Sequence, residues 1–332
     1  MKARLLFLAA LFGPLSLAVP GPEGPKPPPP PWYAMFWNVE NLFDTVDDPA
    51  VEGVDAMAPA DHAEKTKRLR EVIRRVDFGR GPDILGLAEI ESADLIRGLV
   101  GEGYSVVFEK GSYARGLNTG LATRLPLIGA PEFLDPRTTG RTILHAVLAA
   151  GAGPLHVFVL HLKSRSNPAT ATEATRSDEE TRSREARFLR RQVDAVLSKE
   201  PRADLLLMGD WNEDYRDSLF REELLAVEHR RRMASPSLAD DDHRLLNYGA
   251  ALRQSFPQGG TCYYYPNWDI FDNLLLSEAL GVPGGLFVSP EDAWIGVSFD
   301  LLDIWGQPAR FQRESPTGVS DHLPVLLRIR AE

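Results

Sequence analysis

Three features of the sequence predict an α/β protein with mixed sheets and show where its chemistry should sit. Short apolar runs alternate with amphipathic helical stretches, and some runs follow one another with no helix between them. Run after run then ends abruptly in carboxylates, amides or imidazoles. The clearest case is Leu205 to Met208, which stops at Gly209 and is followed by Asp210, Trp211, Asn212, Glu213 and Asp214. It reads as a buried strand delivering Asp210 and Asn212 to the rim of a sheet, where α/β folds collect ligands. A strand closed by an Asp/Asn-rich turn is the plainer alternative.

In chain order, Lys2 and Arg4 followed by the short apolar stretch Leu5 to Leu17 read as a secretory signal, with Ser16-Leu17-Ala18 at the cleavage position and an uncleaved N-terminal anchor as the alternative. Residues 19–31 form a Pro-rich linker, stiff and without amide donors along Pro27 to Pro31. The folded domain is expected over 32–332, as one catalytic unit in a secreted or periplasmic protein. Tyr33 to Trp37 is a buried strand ending in Asn38-Val39-Glu40-Asn41. Thr45 to Asp61 is an acidic surface loop. His62 to Val76 is a helix, since Leu69, Val72, Ile73 and Val76 share one face while Lys65, Lys67, Arg68, Arg70, Arg74 and Arg75 cover the solvated ones.

Asp83 to Ala88 is a strand delivering Glu89 and Glu91, and a short helix follows over Ala93 to Val100. Tyr104 to Glu109 and Thr119 to Arg124 are strands. Arg141 to Ala149 and Leu155 to Leu162 form an antiparallel pair about a Gly-rich turn, delivering His161, Lys163, Ser164 and Arg165. Asn167 to Asp178 is a polar, mobile connector, and Glu179 to Leu197 is a long helix burying Ala186, Leu189, Val193 and Val196, stopped by Pro201. Arg216 to Val227 is helical and Glu228 to Asp242 is a charged connector. Ile270 to Leu276 is a strand interrupted by Asp272, and Leu323 to Ile329 is a last strand after Ser320-Asp321-His322.

The 332 residues are 43% hydrophobic, enough for a large core, and carry a net charge of −10. That charge argues against a broad basic patch for long nucleic acids. It leaves room for a phosphate substrate if a bound cation supplies the positive charge locally. Cys262 is the single cysteine, so no intramolecular disulfide forms, and its place before Tyr263-Tyr264-Tyr265 reads as strand packing rather than a nucleophile. The three tyrosines likewise read as packing, with a base-stacking platform as the alternative. No long apolar stretch marks a membrane-docking hairpin.

Singly, each polar strand end has a bland reading as turn, solvated acid or satisfied histidine. Together, Asn38, Glu89, His161, Asp210, Asn212, Asp272, Asp321 and His322 suit phosphoester hydrolysis. Carboxylate and amide oxygens are hard ligands for Mg2+ or Mn2+. A carboxylate can deprotonate water, and imidazoles can donate to a phosphate. The set does not suit zinc, for there is no His-x-x-x-His pair and no cysteine cluster. Nor is there a Gly-x-Ser-x-Gly elbow or a Gly-Lys-Ser/Thr phosphate loop.

These segments resemble, in order, the motifs of the endonuclease/exonuclease/phosphatase superfamily, the deoxyribonuclease-I-like fold. They are Phe36-Trp37-Asn38-Val39-Glu40-Asn41, Leu85 to Ile90, His161-Leu162-Lys163-Ser164 (as in exported bacterial members), Gly209-Asp210-Trp211-Asn212, Trp268 with Asp272 to Ser277, and Ser320-Asp321-His322-Leu323-Pro324-Val325. The resemblance implies a four-layer α/β sandwich, two packed mixed β-sheets flanked by helices. It implies Glu89 as principal metal ligand, with Asn38 and Asp321 completing the site. Asp210 would orient or deprotonate water, Asn212 would hold the phosphate, His322 would contact it, and Asp272 would fix and charge His322. His161 would contact the phosphate or act as general acid. Glu40, Asn41, Glu91, Lys163 and Asp269 would be supporting or structural.

Two departures are Ala88, where the family often has Gln, and Asn273, where it often has His or Gln. Neither removes a catalytic group, and the intact set argues against a non-catalytic binding domain. The expected activity is an exported, metal-dependent phosphodiesterase, a nuclease with nucleic acid as substrate. The alternatives are a phosphatase of small phosphoesters or a phospholipid phosphodiesterase. A monomer without an obligate protein partner is expected.

Overall fold

The computed structural model describes residues 27–49, 51, 56–151, 153–165, 172–229 and 243–331. The expected signal segment, most of the Pro-rich linker, residues 167–171 of the polar connector and residues 230–242 of the charged connector lie outside the described residues. Among the described residues, no helix is long and apolar enough to cross a membrane.

Among the described residues, sixteen strands occur in chain order: β1 (Trp32–Leu42), β2 (Ile84–Ile90), β3 (Ser105–Phe108), β4 (Asn118–Thr123), β5 (Glu132–Leu134), β6 (Ile143–Ala149), β7 (Pro154–His161) and β8 (Asp204–Asp210), then β9 (Ala226–Glu228), β10 (Leu245–Asn247), β11 (Cys262–Tyr264), β12 (Asn267–Asp269), β13 (Asp272–Ser277), β14 (Leu286–Phe287), β15 (Ala293–Ile295) and β16 (Val325–Ala331). The α-helices among the described residues are α1 (Pro59–Arg74), α2 (Ala93–Val100), α3 (Thr172–Leu197), α4 (Ser218–Glu222) and α5 (Gly249–Ser255).

One seven-stranded sheet runs β14-β16-β1-β2-β4-β3, with β15 also on β16, and a second runs β5-β6-β7-β8-β13-β10-β9. Both are mixed: β1 and β2 are parallel while β1 and β16 are antiparallel, and β7 and β8 are parallel while β8 and β13 are antiparallel. This is the expected two-sheet sandwich flanked by helices.

The continuous apolar runs follow from burial on both faces of each sheet. In β8, Leu206 and Met208 face the other sheet, while Leu205 and Leu207 pack under Leu189 and Val193 of α3. In β7, Val157 and Val159 face inward and Phe158 and Leu160 face α3. Leu69, Val72 and Ile73 of α1 and Leu95, Ile96 and Leu99 of α2 join the inter-sheet core cluster. Glycines let the layers close. A Cβ on Gly86 of β2 would stand 2.8 Å from Met208 Cε across the sandwich.

Several boundaries differ from expectation. β1 does not stop at Trp37 but runs through an irregularity to Leu42, because Glu40 and Asn41 turn left-handed within it. The helix expected over Arg216 to Val227 is only Ser218–Glu222. Leu225 at φ 53° breaks it, and Ala226–Glu228 instead pairs in parallel with β10. α3 begins at Thr172, inside the expected connector. Lys65 is not on a solvated face of α1. It is 3% exposed, and its ammonium donates to the carbonyl of Glu40.

Gly209 stands opposite Leu160, and a Cβ there would meet the Leu160 carbonyl oxygen and Cγ at 2.5 Å. Backbone cannot yield as a side chain can. Gly209→Ala is therefore expected to cost at least about 1–3 kcal/mol by urea denaturation. A midpoint equal to that of the wild type would contradict this packing.

Candidate active site

Strand register assembles the site. In the second sheet His161 of β7 lies opposite Asp210 of β8, and Asp272 of β13 lies opposite Asp210 on the other side. Three neighbouring strands thus carry His161, Asp210 and Asp272 at one level. In the first sheet β1 and β2 run in parallel with Asn38 opposite Ala88, so their ends bring Asn38 and Glu89 together. The loop entering β16 is tied to β1: Ser320 Oγ donates to Asn38 O at 2.7 Å, and Trp37 Nε1–H donates to His322 O at 2.8 Å.

Backbone strain marks the same ends. Glu40, Asn41, Glu89 and Asn212 adopt φ of 50°, 49°, 63° and 52°, a region uncommon for side chains other than glycine. The turn at Asn41 aims its N–H at Glu89 Oε2, 2.8 Å away. The turn at Asn212 aims its N–H at Asp210 Oδ1, 3.0 Å away.

Asp210 is the centre. Its Oδ2 lies 3.0 Å from Asn38 Nδ2, 3.4 Å from His161 Nε2 and 3.9 Å from His322 Nε2. Burial pushes its carboxyl up to about 6, with Asp272 adding to the push and His322 opposing it. Burial holds His161 well below the usual imidazole range, and Arg141 and His322 add to the effect, so it is neutral near pH 7. Burial also works against charge on His322. Asp272, 2.7 Å from Nδ1, outweighs it with help from Asp210 and holds this imidazole protonated well above the usual range.

A second group of acids lies beside the first. Glu89 Oε1 accepts from Asn38 Nδ2 at 3.3 Å. Asp321 N–H donates to Glu40 Oε2 at 3.2 Å, and Arg310 bridges Glu40 (2.7 Å) and Asp321 (2.6 Å). Burial and then Asp321 push the Glu40 carboxyl up to about 7, against the pull of Lys65 and Arg310.

Two groupings could hold a cation. Among the described residues, Asp210, Asp272 and His322 are the His/Cys/Asp/Glu set whose ligand atoms lie within 4.8 Å of one another. The imidazole of that set is charged, however, and carries a proton where a metal would need a lone pair. The oxygens of Glu89, Glu40 and Asp321, with the Asn38 amide, are harder ligands for a divalent ion, although they do not converge within 4.8 Å of one another as the first set does. The raised Glu40 carboxyl reflects its burial first and the neighbouring Asp321 second. Size alone does not point to the site. A cleft of about 580 Å³ lined by Tyr33, Trp294 and Leu326 lies elsewhere and includes none of these residues.

A family model described as endonuclease/exonuclease/phosphatase matches residues 34–331. The chain belongs to the endonuclease/exonuclease/phosphatase family. Its chemistry is therefore phosphoester hydrolysis with a divalent metal. Solved structures of the same fold include a truncated Caenorhabditis elegans TDP2 (16% identity, TM-score 0.57, covering 90% of this chain and 98% of that one). A D. rerio TDP2 with single-strand DNA product matches at 15% identity and TM-score 0.55, covering 90% of this chain and 98% of that one. The human Nocturnin catalytic domain matches at 18% and 0.52, covering 92% and 96%. No curated protein matches the chain by sequence.

All eight expected residues of this family member lie at one end of the sandwich. Of the residues expected to be supporting, Glu40 belongs with Glu89 and Asp321, whereas Lys163 is paired 2.8 Å from Asp178. Sequence reading missed the cations. Arg115 reaches Asn41 Oδ1, and Arg141, 8% exposed, lies 3.1 Å from Ser164 Oγ beside His161. Arg310 and Lys65 complete them. No local pattern announces these four, because each reaches the site from a loop, helix or edge remote in sequence. The two family departures are structural. Ala88 is fully buried, and Asn273 Nδ2 donates to Asn247 Oδ1 at 3.0 Å in the core.

Asp272→Asn removes the anion that keeps His322 charged and leaves burial to dominate. The His322 pKa, read by NMR titration of its ring proton in metal-free protein, should fall from well above 6.5 to below it. An unchanged value would show that the charge on His322 has another source.

Proposed function

We propose that this protein is an exported, Mg2+- or Mn2+-dependent phosphodiesterase that cleaves nucleic acid. The observation that carries the reading is Asp210, a buried carboxylate flanked by a neutral and a charged imidazole and joined through Asn38 to Glu89. Glu89, Asn38 and Asp321, with Glu40, would hold the ion, which would polarise a phosphoryl oxygen and offset charge developing there. Asp210 titrates near 6, so it is mostly ionised at neutral pH and basic enough to take a proton from water. Asn212, held beside Asp210, orients the phosphate. His322, kept charged by Asp272, donates to a phosphoryl oxygen. Neutral His161 serves better as a hydrogen-bond partner of the phosphate than as general acid.

Nucleic acid is favoured by Arg115, Arg141 and Arg310 about the site, guanidinium groups suited to phosphate in a chain of net charge −10. A relative of the same fold, D. rerio TDP2, is solved with single-strand DNA product. Export rests on Lys2, Arg4 and the apolar stretch to Leu17, with cleavage near Ala18 readable by N-terminal sequencing. The alternative, a phospholipid phosphodiesterase, draws support from exposed Ile304 and Trp305.

Asp210→Asn and Glu89→Gln should each lower kcat on bis-p-nitrophenyl phosphate by at least about 100-fold. Thermal stability of the Asp210 variant should be kept or raised, because a buried ionised carboxylate with a raised pKa opposes folding at neutral pH. EDTA should abolish activity and Mg2+ or Mn2+ restore it. Full activity in EDTA overturns the mechanism. Hydrolysis of the small diester but of neither plasmid DNA nor RNA overturns the nuclease assignment.

A further inference from the structure

We infer that the cleft opening beside Arg310 and Asp321 is a nucleoside subsite, in which Trp305 stacks on a base whose phosphate lies at the Asp210–His322 centre. The inference rests on the phosphodiesterase reading and names which part of the substrate this chain grips. The cleft encloses about 580 Å³ and is continuous with the site, for Arg310, Asp321 and Cys262 line it and Cys262 forms a backbone bridge with His322.

Its outer wall is a tied loop. Leu302 bridges Pro308, Asp303 N–H donates to Gln307 O at 2.8 Å, and Gly306 reverses the chain at φ 78°. Asp303 Oδ1 accepts from the N–H groups of Trp305 and Gln307, both at 2.9 Å. The loop is thus pinned from within, yet it leaves Ile304 89% and Trp305 77% exposed. An indole carried on a backbone-pinned tip at the rim of a cleft has no part in the core. It is a contact surface provided in advance, at little ordering cost on binding.

The chemistry of the lining selects the ligand. Gln307, Gln312, Ser315 and Thr317 line the cleft together with Trp305 and Tyr263. An acyl chain would strip water from these amides and hydroxyls without replacing its hydrogen bonds. A nucleobase offers them donors and acceptors at its edge and a π-face to Trp305, a combination that single-strand nucleic-acid sites use. Arg310, between the cleft and the acids, is placed to meet the attached phosphate.

The test is equilibrium titration of the full chain with thymidine 5′-monophosphate and, separately, inorganic phosphate, by calorimetry in Mg2+. Wild type should bind the nucleotide more tightly than phosphate. Trp305→Ala should weaken the nucleotide about 5- to 100-fold, the loss of one base–aromatic stack, and leave phosphate binding unchanged. Trp305→Phe should keep most of the affinity, and neither variant should unfold, since the side chain is not packed. Equal affinity for nucleotide and phosphate, or a nucleotide affinity indifferent to Trp305→Ala, overturns the subsite even if diesters are hydrolysed. Loss of binding to sphingomyelin–phosphatidylcholine vesicles in Trp305→Ala, with nucleotide affinity intact, overturns it in favour of a membrane contact. Trp305-dependent nucleotide binding in a protein that hydrolyses no diester upholds the subsite and sinks the phosphodiesterase reading instead.

Discussion

One side-chain amide joins the two sheets where their polar ends meet. Asn38 Nδ2 donates to Glu89 Oε1 in its own sheet and to Asp210 Oδ2 in the other, at 3.3 and 3.0 Å. Asn38 is 1% exposed, and so is Asp210. A buried amide with two carboxylate acceptors holds them at a fixed spacing and partly offsets the repulsion between them. The spacing depends in turn on the layers beneath. Gly86 admits Met208 from the other sheet, so the sandwich closes far enough for the two strand ends to share one amide, and Gly209 admits Leu160 of the neighbouring strand.

Around that amide the acids divide by the company they keep. Asp210 and Asp272 are fully desolvated and bracket imidazoles, which suits them to moving and holding protons. Glu89 and Asp321 are half-buried beside Arg310, and the buried Glu40 lies between them and the buried Lys65, an all-oxygen company that suits a hard cation. Both groups tolerate raised carboxyl pKa values, near 6 for Asp210 and near 7 for Glu40, at a cost to stability at neutral pH. Such strained electrostatics, like the left-handed backbone at Glu40, Asn41, Glu89 and Asn212, are typical of sites where function outweighs stability.

Much of this was legible in the sequence, because each polar residue directly ends an apolar run and strand ends converge in an α/β sandwich. Asp210, Asp272 and His161 could be read as members of one set, but not as level with one another, since register is a tertiary property. The place of Glu40 beside Asp321 was not legible, because an apolar run ends at Trp37 and nothing local reveals that Glu40 and Asn41 go on through a left-handed turn. Lys65 looked solvated among five neighbouring basic residues. Only the packed helix shows that it is drawn inward to the Glu40 carbonyl. Arg310 and Trp305 come from a stretch with no periodicity, whose shape is set by Asp303 hydrogen-bonding its own loop.

The division of the acids is the central claim, and anomalous diffraction from crystals soaked in Mn2+ tests it most directly. The account predicts a manganese peak against the oxygens of Glu89 and Asp321, on the Glu40 side, with the His322–Asp272 hydrogen bond intact. A peak between Asp210, Asp272 and His322, with that hydrogen bond broken, would contradict it.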